Sequence, residues 1–196
     1  MSESEPVVLL DERGNAVGSA PKDRTHNSDT ALHLAFSVYA FDEAGRLLMS
    51  RRALSKHTWP GVWTNSFCGH PLPGEALEDA VRRRSTAELG TDAERMDLLI
   101  GAVRYRSVME NGIVENELGP VVRVLLSRPP SPSPREVESI RWVPWEEVLR
   151  EANQDPTALS PWSVITVRRL GRLGPEPWKW PVVNDVELPP ALRSHP

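Results

Sequence analysis

The chain opens on an unbroken apolar run, "PVVLL" from Pro6, which gives way to the turn residues of "DERGNAVG", so a short strand is predicted before a Gly-Asn turn. "LHLAFSVYAFDEAGRLLMSRRA" carries two apolar stretches, Leu32 to Phe41 and Leu47 to Arg52, around Asp42–Gly45; this predicts two strands paired as a hairpin. The period then changes. Ala76, Leu77, Ala80, Val81 and Leu89 recur at helical spacing after Pro73-Gly74, and Gly90 follows as a C-terminal stop. "GPVVRVLLSRPP" is a β-branched strand ended by prolines, and in "SIRWVPWEEVLREA" Pro144 passes a strand into a helix. "LSPWSVITVRRLGRL" offers Ser160 as an N-cap and Pro161 at the first helical position. Beyond Gly174 the density of proline predicts an extended tail, whose "WKWP" either covers an active-site mouth or stays outside the fold. Strands mixed with helices give an α/β (α+β) reading: one domain, residues 1–174, with a mixed β-sheet sandwiched between helices, and a tail over 175–196.

Composition narrows the function classes. At 196 residues the chain suits one domain with a real core. A net charge of −4, without a basic run interleaved with aromatics, speaks against a nucleic-acid partner. The acidic N-terminus lacks the basic region and apolar core of a signal peptide, and no stretch approaches the length of a membrane span. One cysteine excludes an internal disulfide, so a soluble, cytoplasmic protein is expected. Lysine occurs only at Lys22, Lys56 and Lys179.

Candidate chemistry centres on "TNSFCGHPLPGE". Cys68, the sole cysteine, stands two residues before His70; further ligand types lie in "HNSDTALH" (His26, His33) and "ENE" (Glu115, Glu117). On an extended backbone, period two sends Cys68 and His70 to one face, and Glu115 and Glu117 likewise. Imidazoles with carboxylates suit a divalent ion such as Mn²⁺ or Zn²⁺, and with less ease Mg²⁺. The plainer alternative is a small buried thiol and ordinary core or surface histidines. Lys22, Lys56, Arg51 and Arg52 either converge on a phosphate or are solvated charge. Arg84 and Glu88 are spaced for a pair on an exposed helix face.

From Gly69, "GHPLPGEALEDAVRRRSTAELGT" resembles a Nudix box in outline, with Glu75, Arg83, Glu88 and Gly90 in place. Arg84 and Ala87 stand where a Nudix hydrolase carries metal-binding carboxylates, so its machinery for splitting a phosphoanhydride is missing. With "HLAFSVYAFDEAGRLLMSRRALSKHTWPGVWTNSFCGHPLPGE", "RYR", "GIVENE" and "SPW" added, residues 7 to 170 resemble the type I isopentenyl-diphosphate isomerases, a Nudix-fold group. The resemblance implies that His26, His33, His70, Glu115 and Glu117 hold a divalent metal (Mn²⁺, Zn²⁺ or Mg²⁺). It implies Cys68 and Glu117 as an acid/base pair, with Tyr105 as proton partner of Glu117. Glu88 and the backbone at Cys68 are implied to hold a Mg²⁺ that arrives with the substrate. Lys22, Arg52, Lys56 and Arg84 resemble a diphosphate clamp, and Trp162 a wall over the hydrocarbon. His57 matches no catalytic position.

Such an enzyme interconverts isopentenyl and dimethylallyl diphosphate. An unactivated allylic C–H is too weak an acid for any side chain, so a proton must first be added to the terminal carbon; a tertiary carbocation forms and loses a proton from the adjacent carbon. The expectation favours Glu117 with Tyr105 as donor and Cys68 thiolate as acceptor, a direction the sequence leaves open. Trp162 and Trp63 are candidate π faces for the cation. The substrate would be a small prenyl diphosphate, with the protein a monomer or homodimer. The rivals are a Nudix hydrolase of a nucleoside or prenyl diphosphate, a paralogue acting on a longer prenyl diphosphate, and a binding protein without catalysis.

Overall fold

The computed structural model describes residues 5–193, so His195 lies outside the described residues. The first apolar run forms β1 (Pro6–Leu10), which pairs antiparallel with β2 (Ala16–Pro21). A single helical turn, α1 (Lys22–Thr25), leads to β3 (His33–Leu34) and β4 (Phe36–Ala40). Then come β5 (Arg46–Arg52), β6 (Trp63–Thr64), β7 (Phe67–Gly69) and α2 (Leu77–Leu89). The long β8 (Ala93–Val108) and β9 (Val114–Leu126) precede β10 (Val137–Pro144), α3 (Trp145–Gln154) and α4 (Pro161–Leu170).

The larger sheet has the order β2-β1-β3-β9-β4-β7, with β8 also paired to β9; the smaller is β10-β5-β6. The larger sheet is mixed, because β3 and β4 run parallel to β9 while β7 and β8 run antiparallel to their partners. The predicted Leu32–Arg52 hairpin is therefore corrected. Its turn forms, with the Gly45 N–H donating to the Asp42 carbonyl at 2.9 Å and a bridge between Phe41 and Leu47. The strands then part into different sheets. β4 has β9 on one edge and β7 on the other, and β5 has β10 and β6, so neither has an edge left for the other.

Both faces of these central strands are buried, which fits their continuous apolar runs. Tyr39, Phe41, Leu47 and Met49 face α3 and α4 through Val148, Ala152, Val164, Val167 and Leu170. Val38, Ala40, Leu48 and Phe67 face Ala80, Val81 and Leu89 of α2. The sheets thus lie between helices, as expected. Gly90 ends α2 in the left-handed conformation (φ 63°), where its N–H donates to the Thr86 carbonyl. Ser160 caps α4, its hydroxyl accepting from the Ser163 N–H.

The proline-rich stretch packs as single helical turns instead of trailing as an extended tail. Trp180, 3% exposed, sets its ring edge-on to Phe41 and Trp145 at 5.5 and 4.9 Å. Trp178 Nε1 donates to the Asp42 carbonyl at 2.7 Å, and the buried Arg123 donates to the Pro177 carbonyl while lying over the Trp178 ring. "WKWP" therefore completes the first core and does not line the candidate site. Among the described residues, no helix is long and apolar enough to cross a membrane.

Candidate active site

Strand register assembles the site. On β9, Glu117 stands opposite His33 of β3 on one side and Tyr105 of β8 on the other, so three side chains form a row across three strands. Ser37 of β4 is likewise opposite Cys68 of β7. One cavity of about 290 Å³ collects Lys22, His26, Cys68, His70, Tyr105, Glu115 and Glu117 with Arg52, Lys56, Arg84, Glu88 and Trp162. The period-two expectation holds for both pairs, Cys68/His70 and Glu115/Glu117, whose members share that cavity.

Ligand atoms of His26, His33, His70 and Glu117 all lie within 4.8 Å of one another. The ring nitrogens show why this group suits a metal ion better than a set of hydrogen bonds. His26 Nδ1 lies 3.3 Å from the Lys22 carbonyl and His33 Nδ1 3.0 Å from that of Ala31; a carbonyl only accepts, so both Nδ1 atoms carry the proton. Each ring then turns its Nε2 inward. His26 Nε2 sits 2.9 Å from Glu115 Oε2 and His33 Nε2 3.4 Å from Glu117 Oε1, yet both nitrogens and Glu115 Oε2 lack a hydrogen-bond partner. An imidazole nitrogen without a proton there sets acceptor against acceptor in a buried site, and a cation between them would relieve it. Burial opposes protonation of His33, but the Glu117 carboxylate overcomes it and raises that histidine, an expression of the same demand for positive charge. His70, 2.9 Å from Glu117 Oε1, is pushed down to about 3 by burial and by the Lys22 charge, leaving it neutral. These residues fit a divalent ion.

Glu117 is ionised. Burial pushes it up, but His33 and His70 more than offset this and hold its carboxyl well below the ordinary value. The Tyr105 hydroxyl donates to Glu117 Oε2, and burial together with the two carboxylates keeps that phenol neutral. On β7, burial pushes the Cys68 thiol up to about 12, against hydrogen bonds from Ser37 and Asn65 that lower it. The resting pair is thus thiol and carboxylate. Asn65 was not anticipated as a site residue. Its Nδ2 donates to Cys68 Sγ at 3.3 Å, and its Oδ1 accepts from Trp162 Nε1 at 3.2 Å, so one amide sets both the sulfur and the aromatic wall. Trp162 stacks on Tyr105 at 6.0 Å and meets Trp59 edge-on at 5.4 Å. Trp63 takes no part in this wall; it packs on the first core under the Arg141 guanidinium, 4.4 Å from its centroid.

Lys22, Arg52, Lys56 and Arg84 line the cavity, whereas Arg51 is exposed outside it and donates to the Gly61 carbonyl at 2.8 Å. Arg84 and Glu88, expected on an exposed face, are 9% and 8% exposed and bond at 2.6 Å inside the cavity wall. Lys56 pairs closely with Glu136, which also lies 3.3 Å from Arg84 Nη2. Glu136 belongs to no motif and was not expected. Arg52 donates from Nε and Nη2 to the Thr58 carbonyl and lies 5.5 Å from the Trp162 centroid, which ties it to the cavity mouth. His57 lines the same cavity. Arg83 and Glu75 form a two-pronged pair at 2.8 Å on each side, and Arg83 Nη2 donates to the His70 carbonyl, so these box residues brace the loop that carries His70.

This sheet order and box geometry define a Nudix-domain protein. The NUDIX domain family matches residues 31–163. The fold is similar to a Deinococcus radiodurans crystal structure (TM-score 0.65, 21% identity, 84% of this chain and 98% of that one) and to the MutT protein of Methanosarcina mazei Go1 (TM-score 0.59, 21% identity, 72% and 94%). Curated relatives named isopentenyl-diphosphate Delta-isomerase include one from Agromyces mediolanus, 50% identical over 173 residues (88% of this chain, 84% of the relative). Another, from Saccharopolyspora erythraea, is 44% identical over 187 residues (95% and 96%). The chain belongs to the isopentenyl-diphosphate Delta-isomerase family within the Nudix group.

Proposed function

We infer that this protein interconverts isopentenyl diphosphate and dimethylallyl diphosphate. The observation that carries the reading is one cavity lined by a half-buried thiol from β7 and an ionised carboxylate from β9, together with a cluster of cations. The cations Lys22, Lys56 and Arg84 bind the diphosphate, which stays intact and positions the five-carbon chain. One member of the Cys68/Glu117 pair adds a proton to the terminal alkene carbon, and the other accepts a proton from the carbon on the far side of the cationic centre. Reversal of the reaction exchanges their roles. Tyr105 hydrogen-bonds the carboxylate and steadies its charge as protons move. The Trp162 and Tyr105 faces exclude water and favour the tertiary cation by about 2 kcal/mol.

His26, His33, His70, Glu115 and Glu117 would hold the resident divalent ion, Mn²⁺, Zn²⁺ or Mg²⁺, and Glu88 with the backbone of Cys68 a Mg²⁺ accompanying the diphosphate. Bound there, these ions fix Glu117 as a carboxylate and neutralise phosphate charge. A Nudix hydrolase is disfavoured because Arg84 occupies the place of a metal-binding carboxylate.

Incubation with Mg²⁺ and isopentenyl diphosphate in D₂O tests the reading by NMR. The expected product is deuterated dimethylallyl diphosphate; release of phosphate, or return of undeuterated substrate, refutes it.

A further inference from the structure

Glu136 lies in the cavity and has no part in the chemistry above. Its backbone is fixed just before β10, with the N–H donating to the Ser133 carbonyl at 2.9 Å and the carbonyl accepting from Ala53 at 3.1 Å. Its side chain, 24% exposed, reaches to the Lys56 ammonium and lies 3.3 Å from Arg84 Nη2. Arg84 is shared with Glu88, which is more enclosed and holds it at 2.6 Å. Lys22 feels both Arg84 and Lys56 as like charges in the same hollow. In the free protein, then, a carboxylate of this chain sits on two of the groups assigned to the diphosphate.

We propose that Glu136 is a built-in competitor for the diphosphate subsite: it holds Lys56 and Arg84 in place when substrate is absent and gives them up to phosphate oxygens when substrate binds. This rests on the diphosphate reading of the cation cluster. Two requirements favour such a device. Cations crowded in a half-buried hollow repel one another, so an internal counter-charge keeps them arranged before an anion arrives. Substrate and product also carry the same diphosphate, so contacts to it hold both equally and do not speed the chemistry; an unopposed clamp would retain product. A partly exposed carboxylate on a fixed backbone is able to swing aside, which the enclosed Glu88 is not.

Inorganic pyrophosphate, titrated calorimetrically at fixed Mg²⁺ into the wild type, Glu136→Gln, Glu136→Ala and Lys56→Met, tests this. Both Glu136 variants should bind pyrophosphate more tightly, on the order of tenfold, the effect of removing one charged hydrogen-bonding competitor. KM for isopentenyl diphosphate should fall in parallel. A gain of affinity is not what a damaged fold produces. Lys56→Met should lose affinity by a similar factor. If Lys56→Met weakens binding while the Glu136 variants leave it unchanged or weaker, the competitor role is overturned and the clamp stands. If Lys56→Met leaves binding unchanged, the diphosphate reading fails, and the proposal with it.

Discussion

Glu117 answers to three neighbours at once: His33 and His70 hold its charge, and Tyr105 donates to it. A residue so placed has no structural substitute. Glu117→Gln and Cys68→Ala should each lower isomerisation by about 10²-fold or more, the contribution of a positioned acid or base, with the circular dichroism spectrum unchanged. Retention of more than about a tenth of the activity in either would refute the assigned role. Gly69, between Cys68 and His70, is fixed by a different constraint. A Cβ there would lie 2.6 Å from the Phe36 ring and 2.7 Å from Arg84 Cγ. Gly69→Ala should cost about 1–3 kcal/mol in urea denaturation and displace Arg84, so diphosphate affinity falls with stability.

Among the elements, β9 carries the heaviest constraint, since a one-residue slip against β3 would send Glu115 and Glu117 to the opposite face. At α4, Ser160 accepts from the Ser163 N–H and also meets Thr64 Oγ1 at 2.9 Å, so Ser160→Ala should cost about 1–2 kcal/mol, read as a lower Tm. This cap and the Gly90 stop were legible in sequence because local chemistry decides helix ends. β8 was not, because register breaks between Leu98 and Ile100 and between Ile100 and Val103 destroy the period-two pattern that reveals a strand. The Leu32–Arg52 hairpin misled for the opposite reason: its turn is local, but the choice of partner strand belongs to the sheet. The site follows the same division. Period two paired Cys68 with His70 and Glu115 with Glu117, and the family resemblance singled them out, whereas the enclosure of Arg84, the reach of Glu136 and the hub at Asn65 depend on long-range packing that no spacing encodes.

On the scale of the whole molecule, stability should depend on acid through Glu75. Hydrogen bonds from Arg83 hold its carboxyl below the ordinary value of 4.5 despite the opposing effect of burial. The pair's contribution is therefore complete above pH 4.5 and is lost as pH falls through the lower folded-state value. Glu75→Gln should flatten that acid limb, and the variant's stability should converge on the wild type's below it in pH-dependent urea unfolding. Metal should act in the same global way. Removal by chelation should lower both activity and Tm, and addition of Mn²⁺, Zn²⁺ or Mg²⁺ in turn should restore them to degrees that rank the ions.

Trp180 fills a slot between Phe41 and Trp145, residues from distant parts of the chain. Trp180→Ala should cost about 3–5 kcal/mol by thermal unfolding, as for other buried tryptophans. During synthesis, the hydrophobic interior stays open until that indole has cleared the ribosome. That core is thus closed by a segment made after the residues it packs against, and a nascent chain halted at Gly174 would expose Phe41 and Trp145 to chaperones.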